Sequence, residues 1–192
     1  MKLASHNTLT YLKPKYWIFR ILRFIARCQS KTLEEQYYNY GIRFFDFRIS
    51  YDKYSNIIFK HGLVEYKSDK SLFDYLDWLE SKGEKVIVRI FLEEFKDNGH
   101  ESKFKHLCGY LENNYINIKF CGGCYRTGKQ VYTFPSIKYR CIELHSSVTD
   151  TYGKFDEICP WVYAKLQNKK NIAKLKNDPN CDYLMVDFVN IQ

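Results

Sequence analysis

Ile42-Arg43-Phe44-Phe45-Asp46-Phe47-Arg48-Ile49 is an aromatic, β-prone run broken by one acid and one base. Read as a strand, it sends Asp46 and Arg48 to the same face, because successive side chains alternate. Comparable runs recur on either side of it, at 2–5, 56–60, 85–91, 117–121, 139–144 and 183–188. Val86-Ile87-Val88 and Tyr183-Leu184-Met185-Val186 are apolar throughout, as strands covered on both faces must be. Helix-like segments lie between the runs, at 16–28, 32–40, 71–81, 102–113 and 160–176. Thr32 reads as an N-cap with Glu34-Glu35 in the first turn, and Pro160 suits a first helical position. Leu72, Tyr75, Leu76 and Leu79 share one face of the 71–81 helix, which Gly83 stops. From Gly122 to Ser136 turn residues replace helical periodicity, which predicts a loop or hairpin.

Strands alternating with helices predict an α/β fold with a parallel sheet. Seven strands suggest a small, distorted or incompletely closed TIM-type (β/α) barrel, since about 250 residues is typical of the full form. The chain has 192 residues and 45% hydrophobic content, enough for one domain over 1–192. Gly and Pro are too few and the core too apolar for disorder or a collagen-like structure. No run reaches the roughly 18–20 apolar residues needed to span a bilayer. The first residues lack a signal-peptide pattern, and seven irregularly spaced Cys read as reduced thiols. A cytoplasmic, monomeric protein is expected. Its net charge of +8 favours anionic partners. No P-loop or GxGxxG phosphate cradle is present, and no nucleic-acid-binding motif supports that use of the charge.

In a βα barrel, chemistry sits at the carboxyl ends of the strands. The first candidate strand ends in Ser5-His6-Asn7, and the second carries Asp46 and Arg48. The third runs into Lys60-His61-Gly62 and the fourth into Glu93-Glu94. The sixth ends at Glu143 and His145-Ser146-Ser147, the seventh at Asp187. Two His, one Arg and two Asp thus converge on one rim. Paired imidazoles suit phosphoryl transfer, one accepting a proton from a nucleophilic hydroxyl and the other giving one to the leaving oxygen. An Arg between them can bind the phosphate and stabilise its developing charge.

Ala4-Ser5-His6-Asn7-Thr8, Leu33-Glu34-Glu35-Gln36, Gly41 through Arg48, and Lys60-His61-Gly62-Leu63 together resemble the phosphatidylinositol-specific phospholipase C X domain, with matching order and spacing over 1–65. The stretches 86–94 and 185–188 resemble its fourth and closing strands more loosely. The resemblance implies an incompletely closed barrel that cleaves the glycerol–phosphate bond through a cyclic phosphodiester. His6 matches the general base and His61 the general acid, with Asp187 as partner of His6 and Asp46 orienting Arg48. An Arg at position 48 resembles the metal-independent bacterial type, which implies no metal or other cofactor. Asn7 departs from that type, which carries Asp there, and resembles the calcium-binding version. A cation held by Asn7 and Asp46 therefore stays open. Glu93, Arg89, His145 and Arg126 are the candidates for substrate binding, and a phosphoinositide or related phosphodiester lipid is the implied partner. Two other readings also stay open: a metal-dependent glycerophosphodiester or sphingolipid phosphodiesterase, and a non-catalytic barrel that binds phosphoinositides or anionic membranes.

Residues 13–27 intersperse apolar side chains with Arg20, Arg23 and Arg27. As a helix they would put the arginines on one face, with Trp17, Phe19, Arg20 and Arg23 as candidates for peripheral contact with an anionic membrane. Packing as a first outer helix is the alternative. Cys121-Gly122-Gly123-Cys124 has CxxC spacing but no second ligand pair, so structural or incidental thiols are expected.

Overall fold

The computed structural model describes residues 1–21, 23–93, 98–126, 129–134, 140–146 and 158–191. Its strands are β1 (Lys2–Ser5), β2 (Lys13–Pro14), β3 (Phe44–Tyr51), β4 (Ile57–His61), β5 (Val64–Lys67), β6 (Val86–Leu92), β7 (Ile118–Arg126), β8 (Lys129–Thr133), β9 (Cys141–Glu143) and β10 (Tyr183–Val186). The helices are α1 (Trp17–Ile21), α2 (Arg23–Ala26), α3 (Leu33–Tyr40), α4 (Leu72–Glu80), α5 (Asn98–Asn114) and α6 (Pro160–Leu175).

Six strands run parallel in the order β9-β10-β1-β3-β6-β7, with β8 antiparallel on the β7 edge. The sheet is strongly curled. Arg89 on β6 donates to Glu143 on β9 and lies 3.0 Å from the Met185 sulfur. In a flat sheet those two strands would stand four spacings, about 19 Å, apart. Among the described residues no pairing joins β8 to β9, so the barrel is incompletely closed. Apolar side chains of the inner face, from Ala4, Phe44, Ile87, Cys121 and Met185, fill its lower part. The outer face carries the larger core, where Leu72, Tyr75, Leu76 and Leu79 of α4 are all buried. Burying each such side chain contributes roughly 1.5–3 kcal/mol.

Local signals in the sequence account for the helix ends. Thr32 and Glu35 form a reciprocal capping box on α3, as Ser71 and Asp74 do on α4. Pro160 opens α6. The 122–136 region contains the β7–β8 hairpin, and Gly122 is required there. Its φ is 97°, and a Cβ would stand 2.3 Å from the Ile90 carbonyl oxygen on β6.

Two expectations need correction. Ten strands are described instead of seven, because β2, β5 and β8 are too short or too polar to stand out as β-rich runs. The run at 56–60 is not a parallel barrel strand. It is β4, antiparallel to the last residues of β3 (Ile49 to Tyr51), and with β5 and β2 it forms an annex beside the parallel sheet. The 16–28 segment is helical over 17–21 and 23–26, in α1 and α2. α1 fully buries no residue, and its Phe19 packs partly buried against the core.

Candidate active site

The ends of β1, β3, β4, β6, β9 and β10 deliver polar side chains to a cavity of about 480 Å³ lined by His6, Arg48, His61, Glu93, His145 and Ser146. Its outer wall is apolar, from Phe19, Ile25, Leu63 and Pro160.

His6 leaves β1 directly into this space. Its Nδ1–H donates to Asp187 Oδ1 at 2.7 Å, just beyond β10, which β1 pairs in parallel. The second oxygen, Oδ2, accepts from the Ser146 amide and hydroxyl, both at 2.9 Å. The carboxylate is thus fixed by three donors and in turn fixes the His6 tautomer, leaving Nε2 as a lone pair. Burial weighs most against charging His6, and the neighbouring His145 adds to it, so its pKa falls to about 4 despite Asp187. Near neutral pH, His6 is an uncharged base. The His145 ring lies on it almost parallel, with centroids 3.7 Å apart and planes 9° apart. Burial opposes charge on His145 too, but the Glu143 hydrogen bond, Asp187 and the Ser146 carbonyl outweigh it and raise its pKa.

His61 ends β4, and a two-residue turn, Gly62-Leu63, follows it. Gly62 supplies the positive φ of 55° at the first turn position. Because β4 runs back along β3, His61 returns to the rim, where its Nδ1 lies 3.1 Å from the Ala26 carbonyl. A carbonyl accepts only, so Nδ1 carries the hydrogen and Nε2 faces inward. The two imidazoles are 6.3 Å apart, centroid to centroid. Asn7 bridges them: its Nδ2 donates to His6 Nε2 at 3.1 Å and to His61 Nε2 at 3.2 Å. Asn7 adopts the left-handed conformation, φ 45° and ψ 55°. Its backbone N–H donates to Asp46 Oδ2, and its buried Oδ1 has no partner among the described residues. A half-turn of this carboxamide exchanges two donors for an acceptor, which is what a proton placed on a histidine Nε2 requires.

Arg48 lines the same cavity as both imidazoles. Its Nε donates to Asp46 and its Nη1 to Glu93, each at 2.9 Å, leaving Nη2 without an acceptor among the described residues. Asp46 is fully buried, yet Arg48 and Arg89 hold its carboxyl well below the ordinary range against the effect of burial. Its oxygens also receive the Asn7 amide, so both are taken. A divalent cation at Asn7 and Asp46 would have to displace two guanidiniums from this carboxylate, and the donor set does not fit one. His6, Cys28 and Asp187 offer ligand atoms within 4.8 Å of one another, but His6 and Asp187 are bonded to each other and burial pushes the Cys28 thiol well up.

The structure therefore brings together His6, Asn7, Asp46, Arg48, His61, Asp187, Glu93 and His145. Glu93 clamps Arg48 and accepts from the Gly62 amide. Arg89 lies beneath the cavity instead of on its wall, joined to Asp46 and Glu143. The Arg126 side chain lies outside the described residues, as do Glu94 and Ser147. Arg23 is turned inward, its guanidinium donating to the Tyr11 and Leu12 carbonyls, so it is not a free surface charge. Arg20 and Trp17 are exposed, and Phe19 is half-buried on the cavity wall. Cys121 and Cys124, three residues apart on β7, point to opposite faces and cannot act as a pair. Sequence reasoning passed over Cys28, the Ala26 carbonyl and Gln29. Gln29 is wholly buried, and its amide donates to the carbonyls of His6 and Val186 at 3.0 Å each.

No protein-family model and no curated protein matches the chain. Solved structures do. The phosphatidylinositol-specific phospholipase C of Listeria monocytogenes superimposes with a TM-score of 0.64 at 15% identity, covering 97% of this chain and 87% of that one. Two structures of the Staphylococcus aureus phosphatidylinositol-specific phospholipase C, from work on its membrane binding, give TM-scores of 0.66 and 0.59 at 14% and 13% identity. Each covers 97% of this chain and 85% of the other. At such identities the likeness is one of fold: the chain has the incompletely closed barrel of the bacterial phospholipases C.

Proposed function

We propose that the chain is a metal-independent phosphodiesterase of the phospholipase C type, acting on a phosphodiester lipid with a hydroxyl next to the phosphate, such as phosphatidylinositol. One observation carries this reading: two imidazoles with inward Nε2 atoms flank a guanidinium on one cavity, and Asp187 locks one of them. Hydrogen-bond reach of about 3 Å from each ring lets both touch a single phosphoryl group. His6 Nε2 takes the proton of the neighbouring hydroxyl, whose oxygen attacks phosphorus. The bond from phosphorus to the glycerol oxygen breaks, and that oxygen takes the proton on Nε2 of a His61 that enters the step as the imidazolium, with the Asn7 carboxamide turned to present its oxygen. Diacylglycerol leaves and a cyclic phosphodiester remains. Arg48 neutralises the charge that builds on the phosphoryl oxygens, the task a cation would otherwise perform.

The apolar rim supports a lipid substrate. Trp17 is 70% exposed, Ile21 66% and Leu63 82%, and Leu63 also lines the cavity. Seated in a membrane interface, these side chains would bring the cavity mouth to the headgroup level. The test is release of inositol phosphate from phosphatidylinositol vesicles, with and without EDTA. His6→Ala and His61→Ala should each lose about 10²–10⁴-fold in rate, the usual size of one acid–base contribution. Wild-type activity should resist EDTA. Full activity in both variants would overturn the assignment, and loss with EDTA would overturn the role of Arg48.

A further inference from the structure

On the other side of the β4–β5 turn lies a larger cleft, about 620 Å³, which shares Leu63 with the catalytic cavity. Lys15, Lys53, Lys60 and Lys103 line it, against two carboxylates, Asp52 and Glu65. Both acids are committed. Asp52 accepts from the backbone amides of Tyr54 and Asn56 and from the Asn56 side chain, which sets its own loop. Glu65 pairs with Lys15 at 2.6 Å. Lys53 lies over the Tyr54 ring at 4.7 Å, and Lys103 donates to Ser55 Oγ at 2.5 Å. Neither ammonium meets a carboxylate among the described residues. Lys53 and Lys103 therefore leave an excess of positive charge at the cleft, which concentrates anions. Its lip is apolar: Tyr16, Tyr54 and Leu63 are exposed there, and Trp17 continues the same surface.

We propose that this cleft is a second, non-catalytic site that takes the phosphate of an anionic phospholipid headgroup while the neighbouring cavity holds substrate. Exposed lysines beside exposed apolar residues match a charged headgroup next to a hydrocarbon chain, whereas a soluble phosphate would leave the apolar residues without a role. The proposal rests on the membrane-facing part of the functional reading, but not on its chemistry.

Lys53→Gln/Lys103→Gln removes two exposed charges and keeps their stems. Lys169→Gln/Lys170→Gln on α6 removes the same charge elsewhere. Partitioning onto phosphatidylcholine vesicles with and without phosphatidylglycerol reads binding with no turnover, so failure of the catalytic assignment would leave this outcome untouched. Each basic residue near an anionic surface contributes about fivefold. The cleft pair should bind phosphatidylglycerol vesicles about 25-fold more weakly than wild type, the α6 pair far less so, and phosphatidylcholine binding should be the same for all. An equal fall in both pairs would assign the effect to overall charge and overturn the site, as would no fall in either. Saturable binding of glycerophosphoglycerol in solution, lost in the cleft pair while vesicle binding is unchanged, would overturn the lipid as the source of the phosphate.

Discussion

An imidazole covered by a second imidazole that itself carries a proton is hard to charge, and His6 is in that position beneath His145. Burial remains the larger influence, so replacing His145 should move the His6 pKa only part of the way back to its ordinary value near 6.5. A base must be neutral to act, so kcat/KM falls as the pH drops through that pKa. For His145→Gln the acid limb should therefore shift upward from about pH 4, with the rate near neutral pH less affected. An unmoved limb would show that His145 only fills space. The pieces of this arrangement were unevenly legible. His6, Arg48, His61 and Asp187 announced themselves by residue type and position at strand ends. The stack of His145 on His6 did not, because it depends on side-chain rotation between residues far apart in the chain. A backbone acceptor such as the Ala26 carbonyl has no sequence signature at all.

At the level of elements, periodicity and punctuation were reliable guides. The apolar face of α4, the cap of α3 at Thr32 and the proline opening α6 all lie where the sequence puts them. The 16–28 segment is helical where the sequence puts a helix, and its Phe19 packs against the core while Trp17, Ile18 and Ile21 stay exposed. The two glycines Gly122 and Gly109 separate backbone demand from mere occupancy. Gly122→Ala forces a Cβ toward a β6 carbonyl at a φ that side chains rarely adopt, and should cost at least about 2 kcal/mol. Gly109 sits inside α5 with open space around it, and Gly109→Ala should stabilise by about 0.5–1 kcal/mol. Urea unfolding of the two variants would check both signs. Equal effects would mean that the β6–β7 approach is looser than its geometry implies.

For the molecule as a whole, a curled parallel sheet with α/β alternation was readable from the spacing of strands and helices, but its annex was not. An antiparallel β4 and a parallel one have the same sequence pattern, and only pairing tells them apart. The buried site also sets the response of the whole fold to acid. His6 titrates near 4 when folded and near 6.5 when unfolded, so the unfolded chain binds the proton first. The stability tied to its neutral form is complete above about pH 6.5. It is lost as the pH falls to about 4, where the loss amounts to about 3 kcal/mol. Denaturant titrations across that window should show the decline, and His6→Phe should flatten it. The parallel pairing of β1 with β10 carries a last implication, one about timing. His6 leaves the ribosome 181 residues before Asp187, so a ribosome that has made the one and not the other holds a base without its carboxylate. In such a nascent chain nothing yet fixes the His6 tautomer. The pair forms only when β10 clears the exit tunnel and seats beside β1.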